Sequence, residues 1–306
     1  MARLKAWRFT SPLKRPLILN GETHTVRQGV LLQQDDRWAE ASPLPGFSLE
    51  SIDDVISALR GHTKNSPALN FAMSALDQPF KLPLKVPYNQ LLSGDAKRIF
   101  NDVKSCGQLG CRAVKLKVGR NDLNSEIDLV KQVRASLPND VRLRLDANRA
   151  WSFEEATKFC NAVTEIDIEY IEEPLRDFQL LEKLYAKSEV NYALDETLLQ
   201  HRSLEAWPNA AALICKPTLL GGRASVERLS KMGKPIVFSA AFESGIGIAR
   251  IAQLAQEYSP HIPAGLDTLD WLSTNWLLTS PQKGQGLITF DKQPIVDVDS
   301  LENIDL

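Results

Sequence analysis

Residues 113–147 read AVKLKVGRNDLNSEIDLVKQVRASLPNDVRLRLDA. An apolar run, AVKLKV (113–118), gives way to a polar junction and then to apolar residues at helical spacing: Leu123, Ile127, Val130 and Val133. A second apolar run, VRLRLDA (141–147), follows. Strand, helix and strand in this order form the unit of a parallel sheet, because parallel neighbours need a crossover long enough to hold a helix.

The same unit recurs on both sides, from about residue 85 to residue 261. The further runs are VPYNQLL (86–92), IEYIEE (168–173), YALDE (192–196), ALICKP (212–217) and PIVFSA (235–240), with a weaker eighth around 261–266. Helical spacing returns between them, as at Ile248, Ile251, Ala252 and Ala255. Seven or eight units predict an α/β fold of TIM-barrel type. An open doubly wound sheet should carry a Gly-rich phosphate turn after its first strand, and no GxGxxG stands there.

The first 85 residues read differently. Strand-like LKAWRF, GVLLQQ and RWAEA, a Pro/Gly-rich turn at 42–47 and helical stretches near 52–59 and 68–76 predict a small α+β domain. The expected division is therefore a cap over 1–85 and a barrel over 86–275. The tail, 276–306, has lost the alternation and is expected to return to the cap.

Composition narrows the partners. With 36 Lys plus Arg against 38 Asp plus Glu, the net charge of −2 offers no field for nucleic acid or an anionic membrane. A small molecule is the expected partner. Cys106, Cys111, Cys160 and Cys215 have neither zinc-site spacing nor the density of a disulfide scaffold. The opening residues lack a signal-peptide core, and no run reaches the roughly 18 apolar residues of a membrane span, so a soluble cytoplasmic protein is expected.

The ionisable residues on the runs carry the chemistry. Lys115 and Lys117 lie on the second run, Asp146 on the third, Glu172 on the fourth, Asp195 on the fifth and Lys216 on the sixth, each near the C-terminal end. From Lys117 onward the separations are 29, 26, 23 and 21 residues, about one βα unit each, so a barrel gathers them at its C-terminal mouth. Charge on a buried strand is costly unless paired or bound to metal, and three carboxylates cannot neutralise one another. A hard divalent cation such as Mg²⁺ is the simplest remedy, and the absence of His and Cys from the set disfavours zinc or copper. Lys115 and Lys117 share one strand face, so each should disfavour the other's charge, and a lysine so lowered can act as a general base. With Lys216 opposite, the pattern suggests proton abstraction beside a carboxylate, the resulting anion being held by metal and cation.

KxK, LDAN, IEEP, LDE and CKP, spaced as here, resemble the enolase superfamily in its muconate-lactonising branch. That resemblance implies a modified (β/α)₇β barrel with an N-terminal capping domain. It also implies Asp146, Glu172 and Asp195 as Mg²⁺ ligands, with Mn²⁺ a conceivable substitute, Lys117 as acid/base, and Lys216 opposite. ASPLPGFS (41–48) and LRLDANRAW (143–151) are similar to the o-succinylbenzoate synthases. This similarity implies a syn-dehydration in menaquinone biosynthesis, with a carboxylate substrate touched by Lys115, Arg144, Asn148, Ser239 and Gly245 and enclosed by the 43–47 loop. The short polar segment before Gly29 departs from the family pattern.

Blander readings stand beside these. A single strand-end Asp or Lys is more often a cap or a surface ion pair than a catalyst; five on successive units change that balance. Glu173 should face away from Glu172 and form a structural salt bridge, and Gly221 and Gly222 read as a turn. His24, His62, His201 and His261 are scattered, and the tryptophans read as core or interface residues. Racemisation of N-succinyl amino acids, dipeptide epimerisation and muconate cycloisomerisation on the same scaffold remain alternatives, as does a non-catalytic barrel. A monomer or small homo-oligomer fits the chain.

Overall fold

The computed structural model describes residues 3–19, 21–62, 65–201 and 203–306. The chain opens with three antiparallel strands, β1 (Lys5–Leu19), β2 (Glu22–Gln34) and β3 (Arg37–Ala41), in register Ala6↔Leu32↔Ala39. Side chains alternate between the two faces of a strand, and here both faces are covered. Ala6, Val30, Leu32 and Ala39 pack on Val55, Ala68 and Leu76 of the helices Ile52–Leu59 and Pro67–Leu76. Phe9, Leu31 and Trp38 face the other way, in one apolar cluster with Leu219, Ile246 and Trp271 beyond the cap. The helix starts are sequence-encoded: Ser51 and Asp54 form a reciprocal capping box, and Ser66 caps a helix that begins with Pro67.

The barrel strands are preceded by β4 (Leu84–Pro87). Among the described residues, seven strands then form one parallel sheet in sequence order: β5 (Asn89–Leu92), β6 (Ala113–Lys117), β7 (Arg142–Asp146), β8 (Tyr170–Glu172), β9 (Tyr192–Leu194), β10 (Ala212–Cys215) and β11 (Ile236–Phe238). Closure falls to the weak eighth run. Its residues Ala264 and Gly265 bridge in parallel to Tyr88 and Ser239, with Asn89 N–H donating to Ala264 O (2.9 Å) and Gly265 N–H to Phe238 O (2.7 Å). The expected run 86–92 is in fact divided near Pro87. Val86 pairs antiparallel with β13 (Leu287–Phe290), while Asn89 begins the barrel. Beside β13 lies β12 (Gln282–Gly284), and β14 (Glu302–Asn303) pairs with β1, so the tail touches both parts of the chain.

Strand alternation sorts the barrel's side chains. Leu116, Leu145 and Ile171 join the core with Ile127, Val130, Val133 and Phe159 of the surrounding helices. Lys115, Lys117, Arg144 and Asp146 therefore take the inward face. Backbone strain gathers at the strand ends: Asn148, Arg149, Glu173 and Phe242 all have positive φ, from 41° to 61°. Non-glycine residues hold that conformation only where surrounding structure imposes it, often beside functional sites. No helix among the described residues is long and apolar enough to cross a membrane.

Candidate active site

Strand register builds the centre. Lys117 on β6 stands opposite Asp146 on β7, and Asp146 opposite Glu172 on β8. Asp195 follows β9 and Lys216 follows β10, so five successive staves deliver lysine, three carboxylates and lysine in spatial order. Asp146, Glu172 and Asp195 are each no more than 2% exposed.

Ammonium groups are the nearest partners of these carboxylates. Lys115 Nζ lies 3.1 Å from Asp146 Oδ2 and 3.3 Å from Glu172 Oε2. Lys117 Nζ donates to Asp146 Oδ2 and to Asn148 Oδ1, each at 2.6 Å, and Lys216 pairs with Asp195. Among the described residues, no three acidic, imidazole or thiol groups stand close enough to hold an ion between them. The donor chemistry nevertheless fits a hard divalent cation, since the three neighbouring staves supply carboxylate oxygens. Glu196, next to Asp195, adds a buried Oε2 without a hydrogen-bond partner, while its Oε1 accepts from Asn148 Nδ2 at 3.1 Å.

The two lysines of β6 are driven apart in basicity. Burial, reinforced by the neighbouring Lys115 ammonium, holds Lys117 below the ordinary lysine value despite Asp146. Burial also acts on Lys115, but Glu172, Asp146 and Asp195 outweigh it and keep that ammonium charged. Lys216 likewise stays above its ordinary value, because Asp195 and Glu196 outweigh its burial. Burial, with Asp146 beside it, pushes the Glu172 carboxyl up to about 8. Only one lysine of the pair is therefore lowered, where the sequence suggested both.

A cavity of about 750 Å³, open solvent included, lies over this centre. Lys115, Lys117, Asp146, Asn148, Lys216 and Ser239 line its barrel side. From the cap come Leu17, Ile18, Leu19, Leu44 and Phe47, the Phe47 ring centre lying 5.4 Å from Lys216 Nζ. An apolar lid over a charged floor suits a small organic ligand with a polar end.

Two expected contacts sit elsewhere. Arg144 shares the inward face with Asp146 but lies two residues deeper, roughly 6–7 Å down the strand. There it is fully buried, bonded to Glu169, to Asn89 Oδ1 (3.1 Å) and to Pro263 O (2.6 Å), and does not line the cavity. Gly245 opens the helix Gly245–Tyr258, where a Cβ would overlap Leu277 Cδ1; close packing of the tail, not substrate, accounts for the glycine. Glu173 does pair with Arg149 (2.9 Å), and it also accepts the N–H groups of Asp195 (2.9 Å) and Thr197 (2.8 Å). Sequence reading missed Leu17, Ile18 and Leu19; an apolar triplet beside a polar hairpin turn was the available signal.

A family model described as enolase C-terminal domain-like matches residues 101–275, more than half of the chain. The chain belongs to that family. Similar proteins match nearly its whole length. The o-succinylbenzoate synthase of Pectobacterium atrosepticum is 29% identical over 325 residues, covering 97% of this chain and 99% of the relative. That of Haemophilus influenzae is 29% identical, covering 96% and 95%. Among solved structures, o-succinylbenzoate synthase from Thermosynechococcus elongatus, complexed with Mg in its active site, matches with TM-score 0.77 and 26% identity over 91% of this chain and 96% of the other. The L-Ala-D/L-Glu epimerase of Bacillus subtilis matches with TM-score 0.82 over 96% and 97%, at 18% identity, a likeness of fold alone. The enolase-like assignment accords with the curled parallel sheet and its separate N-terminal cap.

Proposed function

We propose that the protein is a hydro-lyase that converts 2-succinyl-6-hydroxy-2,4-cyclohexadiene-1-carboxylate to 2-succinylbenzoate by syn-dehydration, a cytoplasmic step of menaquinone biosynthesis. One observation carries the chemistry: Lys117 and Lys216 enter a single cavity from opposite sides, with three carboxylate-bearing staves between them. The end-to-end likeness to o-succinylbenzoate synthases supports the choice of substrate.

Lys117, facing the cavity, takes the proton alpha to the ring carboxylate through its amine. Lys216, held as an ammonium, faces the negative charge that develops as the C–H bond breaks. Protonated Lys117 then returns its proton to the departing hydroxyl on the same face, water leaves, and the ring becomes aromatic. Asp146, Glu172 and Asp195 would hold Mg²⁺, or Mn²⁺ in its place, which supplies Lewis-acid stabilisation of the substrate carboxylate when bound. Asn148 fixes Lys117 by accepting its hydrogen bond, and Glu196 fixes the amide of Asn148. The leucines of the β1–β2 hairpin and Phe47 exclude water from the reacting face.

Racemisation of N-succinyl amino acids is the second reading, favoured by the same pair of opposed lysines. Offering the purified protein both the cyclohexadiene and an N-succinyl amino acid, with Mg²⁺ and after chelation, separates the two. Chelator-sensitive formation of 2-succinylbenzoate is the expected result. Racemisation without dehydration would replace the proposal with its alternative, and turnover of neither would remove both.

A further inference from the structure

Arg27, on β2 of the cap, is 2% exposed and makes no ion pair among the described residues. Its guanidinium is spent instead on four main-chain carbonyls in two separate loops. Nη1 donates to Pro43 O (2.7 Å) and Nη2 to Ser42 O (3.1 Å), both in the cap. Nη2 also donates to Ala241 O (3.2 Å), and Nε to Phe242 O (3.2 Å), both beyond β11 of the barrel. The two nearby carboxylates are engaged elsewhere: Glu40 accepts from Ser42 Oγ and from the N–H groups of Ser244 and Gly247, and Glu243 from Thr218 Oγ1 and Ala241 N–H.

These loops form the cavity's outer rim. One leads into Leu44 and Phe47, and the other supplies Ala241 and Phe242. Phe242 is held at φ 61°, a conformation unfavourable for an aromatic residue, and the Arg27 bond to its carbonyl is one of the contacts that maintain it. A planar fork with five fixed donors can bind four carbonyls in two loops at once; an ammonium offers three donors without that fixed plane, and an apolar side chain offers none. We propose that Arg27 is a positioning residue that joins cap loop 42–47 to barrel loop 241–242 and so sets the width of the substrate cavity.

Arg250 provides the control. It is equally buried and also crosses from barrel to cap, donating to Trp38 O (2.7 Å) and Gln78 O (2.9 Å), but neither acceptor belongs to the loops that line this cavity. Arg27→Met, Arg27→Lys and Arg250→Met are compared by amide hydrogen exchange and by steady-state kinetics. Arg27→Met should speed exchange of the Phe47, Ser48 and Ala241 amides by about tenfold or more, and should raise KM about tenfold with kcat changed much less. Arg27→Lys, which keeps a charge and three donors, should fall between, whereas Arg250→Met should lower thermal stability without moving those amides or KM. Wild-type protection of the three amides in both Arg27 variants would overturn the inference, as would equal loosening in Arg250→Met. The kinetic arm rests on the proposed dehydration; if wild type fails to turn over the cyclohexadiene, that reading falls while the exchange comparison still decides the role of Arg27.

Discussion

The two walls of the cavity are made by opposite physical means. The barrel wall is charged, and strand register fixes its side chains: Lys117 and Asp146 are direct neighbours across two strands, with Glu172 next to Asp146 on the third. The cap wall is apolar, and long-range contacts fix it: Leu17 on the hairpin, Leu44 and Phe47 on a loop held through Arg27. Charge concentrated on one wall does chemistry but adds little to stability, because burial of each group offsets much of its pairing. The apolar wall should govern what enters and how tightly it binds.

The largest test of that contrast is Asp146→Asn. It removes the carboxylate that meets both Lys115 and Lys117, and kcat/KM should fall by about 10³ or more, with loss of the Mg²⁺ binding heat in calorimetry. Retention of both would dissociate the charged wall from the chemistry. Adjacent residues sharpen the comparison next. Glu173→Gln should cost about 2–4 kcal/mol in urea denaturation, because Glu173 holds Arg149, Thr197 and the Asp195 backbone together. Glu172→Gln should instead lose turnover while the metal-free protein stays near wild-type stability, since burial already disfavours that charge. An equal effect of the two substitutions on stability would erase the distinction. On the apolar wall, Phe47→Ala should raise KM about tenfold and leave kcat within a few-fold, as expected when binding contacts away from the reacting atoms are lost. Smallest of all, Leu49→Ser at a fully exposed site should change stability by less than about 0.5 kcal/mol and neither kinetic constant.

The same contrast explains what could be read from the amino-acid order. A strand's alternation and the spacing of βα units are local, so Lys115, Lys117, Asp146, Glu172, Asp195 and Lys216 could be assigned to one mouth before any coordinates. Depth along a strand is harder: Arg144 has the right face, but its position one layer down depends on Asn89, Glu169 and Pro263. The eighth stave read weakly, and among the described residues only Ala264 and Gly265 bridge to its neighbours. Residues 86–92 read as one strand because an apolar pattern does not name its partner, and Val86 pairs with Ile288 far along the chain. The cap wall was nearly silent for the same reason. Nothing local distinguishes Arg27 from a surface arginine until residues 42–43 and 241–242 are brought around it.

The most direct measurement is turnover of the cyclohexadiene substrate by Lys117→Ala, with circular dichroism and thermal melting confirming a folded chain. A proton-accepting Lys117 predicts product formation no faster than the uncatalysed reaction, with Mg²⁺ still bound. Dehydration near the wild-type rate in the folded variant would contradict it.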